Sequence, residues 1–258
     1  MIRINKSLHN IRDAASILVL RQHPRITTKF FDYEILLMKR HAKQKFMPNS
    51  YVFPGGSIDE ADLDRKKWQK VFRESYSEKR LRKLGQDLVY PVVPEMYGTL
   101  SEQEQGKSNS HRSQISPNSK SSLPLHKSLM TNQILYRVAA IRELLEETGV
   151  FVSTEGIKQV DPSDRKIIHN DASKFAEYCL EFDLRPDISR LKEWSIWLTP
   201  TGLDSRRRFD TMFYILLLNE EESIDNQLFS DQSHDNIELT NTTWAAPHTF
   251  LHNYKKFL

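Results

Sequence analysis

Apolar positions follow two rhythms along this chain. Blocks of strand length come first. "ASILVLR" (15–21) and "YEILLMKR" (33–40) are joined by a segment holding Pro24 and two threonines, and predict a hairpin. "YVFPGG" (51–56) reads as a short strand stopped by Pro54, with Gly55-Gly56 opening a loop. The rhythm then changes. Trp68, Val71, Phe72, Tyr76, Leu81 and Leu84 recur near helical spacing and predict an amphipathic helix over 65–84, with a break near Ser77. A second helical stretch carries Ile134, Leu135, Val138, Ile141, Leu144 and Leu145 on one side and stops at Gly149, a residue suited to the C′ position.

Beyond Gly149, "VFVS" (150–153) predicts a strand and "ASKFAEYCLEF" (172–182) a helix. "WSIWLTP" (194–200), "RRFDTMFYILLLN" (207–219) and "IELTNTTWAA" (237–246) read as strands. Pro247 suits the first position of a closing helix. Between the two long helical stretches, residues 101–130 include nine serines and no aromatic residue. Such a segment buries too little apolar surface to offset its ordering entropy, so a flexible loop is expected. Strands and helices mix without strict alternation. The expected class is α/β, a mixed sheet with helices packed on it.

The 258 residues suffice for one sizeable core or at most two domains. Lys and Arg number 37 and Asp and Glu 34, a balance that gives no argument for nucleic-acid binding. The single cysteine, Cys179, excludes a disulfide scaffold, favours a reducing compartment, and reads as a small buried hydrophobe. No apolar run approaches the ~18 residues that span a bilayer. An early core strand at 15–21 leaves little room for a removable presequence. The last residues, Lys256-Phe257-Leu258, match a peroxisomal signal poorly.

Chemistry enters at "RVAAIRELLEETGVFV" (137–152). Glu143, Glu146 and Glu147 stand at i, i+3 and i+4, on one helix face, and Glu155 follows. Like charges at that spacing cost about 0.2–0.5 kcal/mol per pair. A divalent cation with oxygen ligands would relieve the crowding. A solvated acidic face is the plain alternative. Arg142, inside the run, can hold a carboxylate by charge-assisted hydrogen bonds, and the Gly55-Gly56 backbone can approach a metal or phosphate closely.

These residues resemble the box of the Nudix hydrolases, G-x5-E-x7-R-E-U-x-E-E-x-G-U with U aliphatic. Arg142-Glu143-Leu144, Leu145, Glu146-Glu147 and Gly149-Val150 match its second half without a gap. Gly56, "SIDEA" and Asp62 match the first half, with Asp in place of Glu. Between Asp62 and Arg142 lie 79 residues where the box has seven. An insertion must leave and return there, at modest closure cost. The split box, with segments 36–56, 194–218 and 242–247, resembles the acyl-CoA diphosphatase-like branch related to nucleoside diphosphate-linked moiety X motif 19. An acidic residue usual in that branch after Trp-x-x-Pro is replaced here by His248 and Thr249.

The resemblance implies a Nudix fold: a mixed sheet sandwiched between helices, one domain over 11–258, interrupted at about 63–133. It implies Mg²⁺ or Mn²⁺, held by Glu143, Glu147 and Glu146 with the Gly56 carbonyl, while Glu143, Glu146 and Arg142 serve the chemistry. The implied reaction splits the diphosphate of CoA or acyl-CoA into 3′,5′-ADP and (acyl-)4′-phosphopantetheine. A nucleotide sugar, a dinucleotide or a capped RNA would suit the same machinery, and a catalytically silent Nudix-fold binding protein is the reading from another class. Arg206, Arg207 and Arg208 are candidates to grip the 3′-phosphate, and Lys39 and Arg40 to meet other phosphates, against a plain reading as solvated basic positions. Trp194 and Trp197 could stack an adenine, but alternating aromatics in a strand more often form core or sheet surface. The family suggests a peroxisomal address; cytosol and mitochondrion stay open.

Overall fold

The computed structural model describes residues 11–22, 32–43, 49–72, 76–84, 130–200, 208–224, 229 and 239–254. Its frame is β1 (Ile11–Gln22), whose positions 14–19 are all buried. A strand covered on both faces needs a continuous apolar run rather than an alternating one, and "AASILV" supplies it. One edge of β1 pairs in parallel with β8 (Arg208–Leu217), from Ile11 opposite Arg208 to Leu20 opposite Leu217. The other edge pairs antiparallel with β2 (Tyr33–Arg40), giving the expected hairpin.

The described sheet is mixed and seven-stranded, in the order β3-β2-β1-β8-β7 with β4 on β1 and β9 on β2. Here β3 is Tyr51–Val52, β4 Gly55–Ser57, β7 Lys192–Leu198 and β9 Leu239–Ala245. Gly55 and Gly56 are therefore strand residues and not an open loop: they pair with Ser16 and Ala15. Residues without side chains carry no strand pattern, so only the free edge of β1 recruits them.

The main helix, α3 (Asn132–Thr148), packs on β1, and Gly149 ends it in the left-handed conformation at φ 75°. Its apolar positions extend round most of the helix, because other helices cover its far side. α1 (Arg65–Phe72) and α2 (Glu78–Leu84) replace the single helix read over 65–84, separated near Ser77 as the sequence suggests. They are part of the main core: Trp68, Val71, Phe72, Tyr76 and Leu81 join the cluster formed by β1, β8 and α3. Trp68 meets Phe175 at 5.5 Å, on α5 (Ser173–Glu181), and Phe175 meets Phe151 on β5 (Val150–Ser153) at 5.5 Å.

Three described elements went unread in the sequence, the last of them the short α6 (Glu220–Ile224). β6 (Gly156–Gln159) pairs with β5, and α4 (Pro162–Asn170) opens on Asp161, whose side chain accepts from the Ser163 amide. α6 (Glu220–Ile224) and α7 (Pro247–Tyr254) complete the described helices, with Pro247 at the start of α7 as its chemistry suits. No described helix is long and apolar enough to cross a membrane. Arg137 of α3 is buried against Glu193 of β7 at 2.6 Å, with the Tyr214 ring 5.5 Å away.

The segment read as flexible lies outside the described residues up to 129, but Met130 is fully buried in the core, a correction to that reading. Replacing residues 101–129 with a short Gly/Ser linker, keeping Met130, is expected to lower the melting temperature by less than about 5 °C. Each kcal/mol shifts a chain of this size by about 2–4 °C, so a larger fall in calorimetry would show that the segment packs.

Candidate active site

Three elements converge where β4 runs beside α3. The Arg142 guanidinium is the hub. Its Nε donates to Asp62 Oδ1 at 2.8 Å and its Nη2 to Asp62 Oδ2 at 2.8 Å, a two-pronged pair across 80 sequence positions. Nη1 donates to Glu146 Oε1 at 2.6 Å, and Nη2 also to Glu143 Oε1 at 2.9 Å and to the Ser57 carbonyl at 3.2 Å. Burial works against the charge of Arg142, but Asp62, Glu143 and Glu146 outweigh it and keep it protonated.

Asp62 reaches this position from a short 3-10 turn, Ala61–Leu63, and is 1% exposed. Its Oδ2 also accepts from the Asp59 amide at 2.9 Å. The shorter acid, in place of the family's Glu, thus fits a position held tightly by the turn. It anchors Arg142 and re-forms the split box in space.

The three glutamates have different surroundings. Glu143 lies against Gly56 so closely that a Cβ there would sit 2.5 Å from its carboxylate oxygen, so any other residue would push the acid from where it stands. Burial raises the Glu143 carboxyl to about 7; Arg142 pulls it down, and Glu146 and Asp62 push it up. Glu147 Oε2 accepts from the Gly55 amide at 2.8 Å. Glu146 is also within 3.3 Å of His169 Nδ1, on α4. Arg165, one turn earlier on α4, donates from Nε to the Glu146 carbonyl at 2.8 Å. Neither contact was foreseen. The nine histidines show no ligand spacing, and α4 went unread although Asp161-Pro162 marks its start.

Among the described residues no three carboxylate, imidazole or thiol groups already converge as a metal cage. Glu146 is turned onto Arg142 and His169. The donor set nevertheless fits a hard cation. Mg²⁺ takes oxygen ligands and keeps several waters, so few protein ligands are needed. Glu143, disfavoured as an anion by burial, would gain from neutralisation.

Arg206 and Arg207 lie outside the described residues. Arg208 is buried at the start of β8, and its Nε donates to the Thr199 carbonyl at 3.0 Å, fastening the connection to β7. Lys39 and Arg40 close β2, half-buried, with Lys39 opposite Tyr51 and the Arg40 amide donating to Ser50 at 2.9 Å. Glu155 pairs with Lys158 at 2.5 Å on the β5–β6 hairpin, outside the three-glutamate group. Cys179 is buried and its thiol pushed up by burial, as a small hydrophobe should be.

A mixed sheet whose glycine strand faces the acidic side chains of an internal helix is the architecture of the Nudix hydrolases. A solved NUDIX hydrolase from Alicyclobacillus acidocaldarius has the same fold, with a TM-score of 0.57 at 19% identity over 95% of this chain and 83% of that one. The NUDT19 Nudix domain family model matches residues 11–257, and the chain belongs to that family. Acyl-coenzyme A diphosphatase NUDT19 of Xenopus laevis is 34% identical over 253 residues, 91% of this chain and 58% of the relative. The Gallus gallus protein of the same name is 28% identical over 98% of this chain and 65% of its own length. The Homo sapiens one is 25% identical over 83% and 54%. The chain thus spans 54–65% of the length of these relatives. Nudix hydrolases in general use a divalent metal.

Proposed function

We propose that this protein hydrolyses the diphosphate bond of CoA and acyl-CoA, giving 3′,5′-ADP and (acyl-)4′-phosphopantetheine, with Mg²⁺ or Mn²⁺ bound. The reading rests on one observation above the rest: Arg142 gathers Asp62, Glu143 and Glu146 at the glycine strand, beside Glu147 on the Gly55 amide. The name carried by relatives from three vertebrates supports the substrate class.

Glu143 and Glu147, one helical turn apart, would hold the cation with the Gly56 carbonyl, and Glu146 would assist. A bound divalent cation supplies charge neutralisation of the diphosphate and activation of water. The chain's own part is positional. Arg142 fixes the Glu143 and Glu146 carboxylates in place, and Gly56 lets Glu143 approach the strand. Glu143 or Glu146 would take the proton from the attacking water. Water adds across the P–O–P bridge, and each product keeps one of the two phosphates of the diphosphate, the adenosine half retaining its 3′-phosphate as well.

A CoA enzyme gains by recognising the 3′-phosphate, which carries nearly two charges and calls for a basic partner. Arg206 and Arg207 are the candidates, since Arg208 commits Nε to Thr199. CoA should be cleaved with higher kcat/KM than 3′-dephospho-CoA. Replacing Arg206 and Arg207 by Ala should narrow the gap mainly through KM, as a remote contact equal in ground and transition states does. If the wild type prefers ADP-ribose or capped RNA to both, the CoA reading fails. If the preference survives the double variant, recognition moves to Lys39 or Arg40.

A further inference from the structure

Trp194 and Trp197 are not core: they are 48% and 58% exposed, on the edge strand β7. A bulge brings them together. Glu193 lies opposite Tyr214 and Ser195 opposite Phe213, which makes Trp194 an extra residue between two consecutive pairs. Strict alternation would divide residues three apart between the two faces. With the bulge, both rings meet Phe213, at 6.2 Å and 87° and at 6.3 Å and 69°. Trp197 Nε1 donates to Ser195 Oγ at 2.8 Å, which fixes one indole by its edge.

By register this aromatic group lies on the sheet face turned away from α3, since Phe213 and Ser16 alternate with the core residues Met212 and Ala15, and it runs towards the glycine strand through Phe53. Phe53 reaches Phe213 at 6.3 Å from the other side, two residues before the Gly55 amide that holds Glu147. Gly55, Ser16, Phe213 and Ser195 lie opposite one another on four neighbouring strands. At about 4.8 Å per strand step, Phe213 is roughly 10 Å from Gly55, and β7 one step further.

We propose that Trp194 and Trp197, backed by Phe213 and Phe53, form an open shelf on which the adenine of the substrate stacks while its diphosphate lies at Gly55-Gly56. The inference rests on the hydrolase reading above. The occupant is the base and not the acyl tail. A flat ring loses much of its hydrated face to an open aromatic surface, whereas a flexible chain gains little without an enclosing pocket. Base–aromatic stacking tolerates such open platforms, and loss of one stack weakens binding about tenfold or more.

Two measurements on the intact chain decide it. In chelator, 3′,5′-ADP should quench tryptophan fluorescence, and 4′-phosphopantetheine should not. In the double variant Trp194→Ala/Trp197→Ala the quench should vanish, since Trp68 and Trp244 lie elsewhere. The Kd for 3′,5′-ADP and the KM for CoA should each rise about tenfold, with kcat within about twofold. Trp194→Phe/Trp197→Phe should restore most of the affinity. Quenching by phosphopantetheine alone, or an unchanged Kd for 3′,5′-ADP in the Ala variant, overturns the shelf. A double variant that halves the sedimenting mass also overturns it and makes the face a contact between copies. Absence of CoA hydrolysis by the wild type would instead fail the hydrolase reading, while the quenching still judges the shelf.

Discussion

Glu147→Gln should lower kcat by at least about a hundredfold, the scale for losing one major electrostatic contribution at a reacting centre. The substitution keeps the shape of the side chain, and the amide oxygen can still accept from the Gly55 amide that now bonds Glu147 Oε2 at 2.8 Å. What disappears is a ligand charge beside Glu143. Activity of the wild type should vanish with chelator and return with Mg²⁺ or Mn²⁺. In the variant, added metal should not restore it. Circular dichroism and melting temperature should stay near the wild type, because the helix and its buried face are untouched. Near-normal turnover by Glu147→Gln would remove the metal site from this account.

Asp62→Ala has the largest expected effect on stability, a loss of about 3–5 kcal/mol, typical of removing one partner from a buried ion pair. Asp62 is 1% exposed and meets both Nε and Nη2 of Arg142 at 2.8 Å. Its removal leaves the buried Nε without its carboxylate partner and frees Arg142 to swing from Glu143 and Glu146. Thermal unfolding should fall by about 10 °C, at roughly 2–4 °C per kcal/mol. Activity measured well below the new midpoint should fall as well, since the glutamates lose their orienting partner. A melting temperature within about 2 °C of the wild type would mean that the pair contributes little, and that the split box is not held together through Asp62.

Much of the frame was legible because its signals are local. β2 matches the "YEILLMKR" run, and α3 ends at the glycine whose φ of 75° needs no side chain. The half of the site carried by α3 was legible for the same reason: helical spacing puts Glu143, Glu146 and Glu147 together. The unread parts depend on distant partners. β4 has two glycines and a serine, and becomes a strand only because β1 offers an edge. The Asp62–Arg142 pair spans 80 positions, and proximity came from the family pattern rather than from residue chemistry. α4 is nine residues long and mostly polar, so its weak periodicity hid the His169 and Arg165 contacts to Glu146. At β7, Trp194 and Trp197 are sheet surface, one of the two plain readings, but the one-residue bulge that brings both rings onto Phe213 leaves no local signal in the sequence.

The most direct test of the central claim is product analysis by mass spectrometry. Purified protein with Mg²⁺ or Mn²⁺ is given CoA, an acyl-CoA, ADP-ribose, NADH and capped RNA in parallel. The account predicts fastest consumption of CoA or acyl-CoA, with 3′,5′-ADP and (acyl-)4′-phosphopantetheine in equal amounts. Cleavage of any other substrate at a higher kcat/KM, or no cleavage of CoA with metal present, would contradict it.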